Sequence, residues 1–255
     1  MQIRFDPRLA DGYKSASQRI RVLTEAWVGR EIFCPACGDG IAKSDNNSPV
    51  LDFNCRRCRE EYELKSSKIV FSRKIVDGAY ATMIERLQGS NNPNFFLLNY
   101  SPRDYEVSNF FVIPKHFFVP EIIERRKPLS ESVRRARWVG CNIVLQNIPQ
   151  SGKIFYVRNK QIQPRENILQ IWQKTLFLRE EKEIAAKGWI LDVMNCVDSL
   201  AKKEFTLDEV YAFEATLQSK HLGNKHIKDK IRQQLQLLRD KGYLEFTGRG
   251  KYRVI

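Results

Sequence analysis

VLDFNCRRCREEYELK, residues Val50 to Lys65, holds two short runs of alternating apolar and polar side chains around a Cys-x-x-Cys turn. Alternation is strand behaviour, because successive side chains leave a strand on opposite faces. If the turn from Cys55 to Cys58 closes a hairpin symmetrically, Asp52 falls opposite Glu63, and Lys65 shares that face. This register predicts two carboxylates and one ammonium on a single patch.

Upstream stands a second Cys-x-x-Cys pair, Cys34 and Cys37, separated from Cys55 by seventeen residues. Two such knuckles can each offer two thiolates to one metal, which is the spacing of a four-cysteine zinc site. Four thiolates leave no open coordination position, so a Zn2+ ion here is expected to be structural. Four free core cysteines are the competing reading, and a redox pair would need only one of the two motifs. Cys141 and Cys196 stand alone and are expected to be buried.

The patch of acids suggests chemistry on phosphodiesters. Two close carboxylates repel unless a cation lies between them, and a hard ion such as Mg2+ prefers oxygen ligands. Such an ion polarises a scissile phosphate and lowers the pKa of a bound water, and a neighbouring lysine can stabilise developing charge. On spacing alone a solvated charged strand face is an equal competitor.

Asp52, Glu63, Leu64 and Lys65 together resemble the active-site motif of the PD-(D/E)xK nuclease superfamily. That resemblance implies Asp52 and Glu63 as Mg2+ ligands, the Leu64 carbonyl as a third, and Lys65 as a catalytic group. Leu51 stands where the superfamily motif has proline. The implied fold is α/β, a mixed sheet flanked by helices.

Beyond the motif, 43 Lys and Arg against 30 Asp and Glu give a formal charge of +13 over 255 residues, which attracts a polyanion. No apolar run approaches the roughly 18 residues of a membrane span. The opening MQIRFDPRL carries Arg4, Asp6 and Arg8 and does not read as a signal peptide. No membrane partner and a cytoplasmic location are therefore expected.

Residues 15–30 have Ile20, Leu23 and Trp27 at helical spacing, and 31–70 read as strands. Asp77 is expected to cap a helix through Tyr80, Met83, Ile84 and Leu87. Residues 94–100, 107–113 and 153–158 read as strands, and 125–137 as a basic surface loop or short helix. The charged stretch Arg179–Lys187 is expected to join a nuclease domain, 1–182, to a second domain, 183–255.

In the second domain, Trp189, Val193, Val197 and Leu200 mark one helix. Thr206 and Glu209 form a capping box opening the next, and Asn224 is expected to cap a third. That third helix has Ile227, Ile231, Leu235 and Leu238 on its apolar face, and two strands around Gly248–Gly250 end the chain. Three helices and a hairpin describe a winged helix. Residues 225–253 carry nine Lys and Arg against three Asp and Glu. Lys225, His226, Lys228, Arg232 and Gln233 on the helix, with Arg249, Lys251 and Arg253 on the wing, are the candidate DNA contacts. His116, His221 and His226 form no recognisable catalytic group.

Several further stretches resemble the DpnI-like, methyl-directed type II restriction endonucleases: LTEAW (Leu23–Trp27), ELKS (Glu63–Ser66), DGAYATM (Asp77–Met83), NNPNFF (Asn91–Phe96), GCNI (Gly140–Ile143), HIKDKIRQQLQ (His226–Gln236) and GRGKYR (Gly248–Arg253). The resemblance implies cleavage of double-stranded DNA at GATC bearing N6-methyladenine, with both domains contacting DNA. It makes Trp138 the methyl-sensing residue, beside Arg134, Arg135 and Arg137. An apolar wall suits an N6-methyl group in the major groove, whereas a tryptophan that only packs is the plainer alternative. A monomer in solution is expected. The competing functions are a non-catalytic zinc-ribbon and winged-helix regulator, and a nuclease indifferent to methylation.

Overall fold

The computed structural model describes residues 1–44, 51–89 and 91–255, so Val50 at the head of the predicted hairpin lies outside the described residues. Helix α1 (Ala16–Glu31) is followed by short strands β1 (Ala42–Lys43) and β2 (Phe53–Asn54), then β3 (Glu61–Ser67), β4 (Lys74–Ala79) and α2 (Tyr80–Gln88). Next come β5 (Asn94–Ser101), β6 (Glu106–Ile113), β7 (Ile123–Arg125), β8 (Gly140–Val144), β9 (Ile154–Arg158), β10 (Gln161–Ile162) and α3 (Arg165–Lys174). The C-terminal part holds α4 (Ile184–Ser199), β11 (Glu204–Thr206), α5 (Leu207–Tyr211), α6 (Glu214–Lys220), α7 (Ile227–Asp240), β12 (Leu244–Gly248) and β13 (Lys251–Val254).

The central sheet runs β1-β2-β3-β5-β6-β9-β10. Only β3 and β5 pair in parallel within it, with Glu63 beside Phe95 and Lys65 beside Leu97. It is therefore the mixed α/β sheet expected. Strand β5 is buried on both faces, which is why NFFLLNY reads as a continuous apolar run. On one side Phe96 and Leu98 pack with Leu23, Trp27 and Val28 of α1 and with Ile168 and Trp172 of α3. On the other, Phe95 and Leu97 pack with Met83 and Leu87 of α2 and with a small sheet of order β4-β8-β7.

The second core continues into the C-terminal helices. Trp189, Ile190, Leu191, Val193, Met194, Cys196 and Val197 of α4 are all buried in it, together with Phe117, Val119 and Ile122 of the N-terminal part and Ile231, Leu235 and Leu238 of α7. The buried positions of α4 wrap more than one face, while Asp192, Asn195, Asp198 and Ser199 keep a polar edge that is not buried. Helical spacing in the sequence marks only one of these faces. Asn195 Nδ2 donates to Asn147 O at 2.6 Å, and Asp198 Oδ2 accepts the Gln150 N–H at 2.6 Å, so α4 is also tied polar-to-polar onto the loop before β9.

Two local expectations need correction. Asp77 caps no helix: it lies in β4 opposite Cys141, and α2 starts after Ala79 without a side-chain cap. Pairing to β8 draws the chain out through Ala79, so the Asp77 side chain is free for other work. Asn224 is not the N-cap of α7; that position is His226, whose N–H donates to Asn224 Oδ1 at 2.7 Å. Strand β11, pairing with β13, and helix α6 were not foreseen. The Thr206–Glu209 capping box is present as expected, and Cys141 and Cys196 are buried.

Candidate active site and DNA interface

The hairpin has the register read from its alternation. Phe53 pairs with Tyr62 and Asn54 with Glu61, which sets Asp52 opposite Glu63. The Asp52 N–H donates to Tyr62 O at 3.1 Å, and Asp52 Oδ2 accepts the Leu64 N–H at 2.7 Å. Its turn is tightly closed: Cys55 N–H donates to Glu60 O and Arg59 N–H to Cys55 O, each at 2.8 Å, and Arg59 takes φ 60°. The first pair repeats this, with Gly38 N–H donating to Cys34 O at 2.8 Å and Gly38 at φ 78°.

The four sulfurs of Cys34, Cys37, Cys55 and Cys58 lie within 4.8 Å of one another, with Cys34 to Cys58 at 3.4 Å and Cys37 to Cys55 at 3.5 Å. Tetrahedral thiolates around zinc at about 2.3 Å would stand roughly 3.8 Å apart. Burial pushes the Cys58 thiol up to about 11 and Cys34 higher still, so these sulfurs carry their charge readily only around a cation. The residues fit one zinc ion.

Glu63 and Lys65, two apart on β3, share a face. Lys65 Nζ stands 2.5 Å from Glu63 Oε1 and 2.6 Å from Asp77 Oδ1. Burial raises the Glu63 carboxyl, Asp77 and Asp52 raise it further, and Lys65 only partly offsets them. Burial works to lower Lys65, but Glu63 and Asp77 together hold it above its ordinary value. Asp52 Oδ1 and Glu63 Oε2 receive no protein hydrogen bond among the described residues. Two carboxylate oxygens without a donor, on cross-strand neighbours and one of them on a largely buried acid, fit a hard cation with oxygen ligands. A cavity of about 240 Å³ opens over Glu63, Lys65 and Asp77, walled by Thr82, Arg86, Pro93 and Phe95. Asp77 was missed as a site residue. Its sequence neighbours suggested a helix cap, and only the pairing of β4 with β8 brings it to Lys65.

Trp138 is half-buried at the end of the loop joining β7 to β8. The loop is closed by Leu129 N–H to Trp138 O at 3.0 Å and Arg137 N–H to Leu129 O at 3.1 Å. Arg134 and Arg135 are exposed; Arg137, at φ 64°, pairs with Glu131 at 2.8 Å. Two residues after Trp138, Gly140 pairs with Ala79 of β4, and Tyr80 N–H donates to Val139 O at 3.0 Å. The tryptophan loop and Asp77 thus hang from one small sheet.

On α7, Ile227, Ile231, Leu235 and Leu238 are buried, leaving Lys228, Arg232 and Gln233 exposed; Lys225 and the N-cap His226, which the sequence placed on the helix, are exposed just ahead of it. Lys228 lies 3.4 Å from Glu214, and both Lys228 and Arg232 sit over the Tyr211 ring. Gln233 Oε1 accepts from Lys230 Nζ at 2.7 Å. At the wing, Arg253 is paired with Glu204 at 2.8 Å and Glu245 at 3.3 Å. Lys225, Arg249 and Lys251 are exposed and make no ion pair among the described residues.

No helix is long and apolar enough to cross a membrane among the described residues. Residues 1–181 match the family described as DpnI, the Dam-replacing family, and residues 185–254 match the Dam-replacing HTH domain.

Proposed function

We propose that this chain, which belongs to the DpnI Dam-replacing family, hydrolyses double-stranded DNA at GATC sites whose adenine carries an N6-methyl group. Membership in the family supports a restriction endonuclease with a DNA partner. The observation that carries the cleavage chemistry is the hairpin register, which sets Asp52 opposite Glu63 beside Lys65; the GATC and N6-methyl specificity rests on the family resemblance.

Residues 1–182 serve cleavage and 183–255 serve DNA recognition, in a protein that is a monomer in solution. Asp52, Glu63 and the Leu64 carbonyl would hold Mg2+, which when bound polarises the phosphate and acidifies a water. Lys65 presents its ammonium to the phosphoryl oxygens, where it neutralises charge that develops as the bond breaks. The cysteine cluster holds Zn2+ in a structural role and clamps the turn that fixes the register of the two acids. Trp138 offers the apolar wall for the methyl group, with Arg134, Arg135 and Arg137 near the backbone phosphates. Lys225, His226, Lys228, Arg232 and Gln233 meet the major groove, and Arg249, Lys251 and Arg253 flank it.

The test is a digest of one plasmid, adenine-methylated or unmethylated at GATC, with and without Mg2+. Cutting of the methylated form alone, and only with metal, is expected. Cutting of both forms would remove the methyl specificity, and no cutting by folded, zinc-loaded protein would leave a DNA-binding protein without nuclease activity.

A further inference from the structure

The Asp52, Glu63 and Lys65 patch does not account for Asp77. Its side chain is only 5% exposed, and its carboxylate lies 2.6 Å from Lys65 Nζ, while Glu63 holds the same nitrogen at 2.5 Å. Lys65 is its one side-chain partner among the described residues. A buried carboxylate is costly unless paired, so Asp77 and Lys65 need each other. The backbone aims it deliberately: the β4–β8 ladder is irregular between Asp77 and Ala79, and such bulges redirect a side chain.

We propose that Asp77 is the positioning residue for Lys65. This inference rests on the nuclease reading. Glu63 has two duties there, as ligand to a divalent cation and as anchor to Lys65. Once Glu63 gives its charge to the cation, its hold on the ammonium weakens, and the cation itself repels a neighbouring ammonium. A lysine side chain is long and flexible. Asp77, on a different strand, keeps Lys65 over the site when Glu63 no longer can. Lys65 then supplies the second positive charge of the centre, beside a single divalent ion.

The experiment uses the full-length, zinc-loaded protein as wild type, Asp77→Asn, Asp77→Glu, Lys65→Ala and the Asp77→Asn/Lys65→Ala double variant. Single-turnover cleavage of a methylated duplex is read with Mg2+, duplex affinity with Ca2+ in its place, and melting for all five proteins. Asp77→Asn is expected to cut ten- to a hundredfold more slowly with affinity unchanged within twofold. Asp77→Glu should recover much of that loss. The double variant should cut no more slowly than Lys65→Ala, and the melting shifts of the two single variants should likewise fail to add. A wild-type rate in Asp77→Asn, equal rates in the Asn and Glu variants, or rate losses that multiply in the double variant would overturn the proposal. Failure of the wild type to cut would instead sink the nuclease reading, while additive melting shifts would still overturn the Asp77–Lys65 link.

Discussion

The Trp138 indole lies directly over Gly140. A Cβ at position 140 would stand 2.8 Å from both Cη2 and Cζ3 of that ring, nearer than such atoms approach in proteins. Glycine is therefore required for the ring to hold this position. Gly140→Ala should turn the indole aside without emptying the core, since Gly140 is followed by the buried Cys141 and Ile143 that anchor β8. The expected result is a loss of at least tenfold in preference for methylated over unmethylated GATC, with cleavage retained and melting lowered only slightly. Competition digests of the two plasmids measure it. Unchanged discrimination would mean that the placement of the Trp138 ring has no part in methyl recognition.

Removal of the zinc should act on both structure and chemistry. The Cys55–Cys58 knuckle is the turn of the hairpin that carries Asp52 and Glu63, and structural zinc binding is coupled to folding. Metal-free protein is expected to lose its cooperative melting transition in the N-terminal part, and Cys55→Ser to lose cleavage with it. Calorimetry before and after chelation, followed by zinc add-back, checks this. An unchanged melting profile without metal would show that the knuckles close unaided.

The hairpin was legible in the sequence because its constraint is local. Alternation and a short closed turn set the register of Asp52 against Glu63, and the spacing of four cysteines set the cluster. Asp77 was not legible, because its role depends on β4 meeting β8, more than sixty residues later in the chain, and local pattern offered a helix cap instead. The burial of α4 on more than one face is half visible in its sequence. Trp189, Val193 and Val197 follow helical spacing, but Ile190, Leu191 and Met194 declare themselves only when a second body packs on them. Arg253 likewise looked like a wing contact, while the strand that brings Glu204 beside it was not foreseen.

Stability should depend on pH through His116. This imidazole is buried: its Nδ1 accepts from Arg179 Nε at 3.2 Å, and its Nε2 lies 3.0 Å from Thr175 Oγ1. Burial, with Arg179, Lys187 and Lys115 nearby, holds its pKa well below the ordinary 6.5. Between those two values the unfolded chain binds a proton that the folded chain refuses. Stability is thus complete above pH 6.5 and falls as the pH drops, by up to about 1.4 kcal/mol per pH unit. Glu60, lowered by Arg179 and Asn94 against its burial, adds a similar loss only below its ordinary 4.5. Melting from pH 7 to pH 5 should therefore decline in the wild type and decline less in His116→Gln. Equal slopes in the two proteins would mean that His116 takes up its proton within the fold.

The wing should divide its arginines by their partners. Arg249 is exposed and unpaired among the described residues, whereas Arg253 is held between Glu204 and Glu245. A cation that meets a phosphate releases a counterion, so each such contact adds about 0.9 to the slope of log affinity against log salt. Arg249→Ala should lower that slope by ~1 and weaken methylated and unmethylated DNA alike. Arg253 would first have to give up two carboxylates. Exposed pairs of this kind are weak, yet two of them compete with a phosphate for one guanidinium, so Arg253→Ala should lower the slope by less than Arg249→Ala does and lower the melting temperature slightly. Binding titrations over a range of salt concentrations distinguish the two. If both substitutions reduce the slope equally, Arg253 exchanges its glutamates for phosphate on the DNA, and the pairs with Glu204 and Glu245 hold the free protein only.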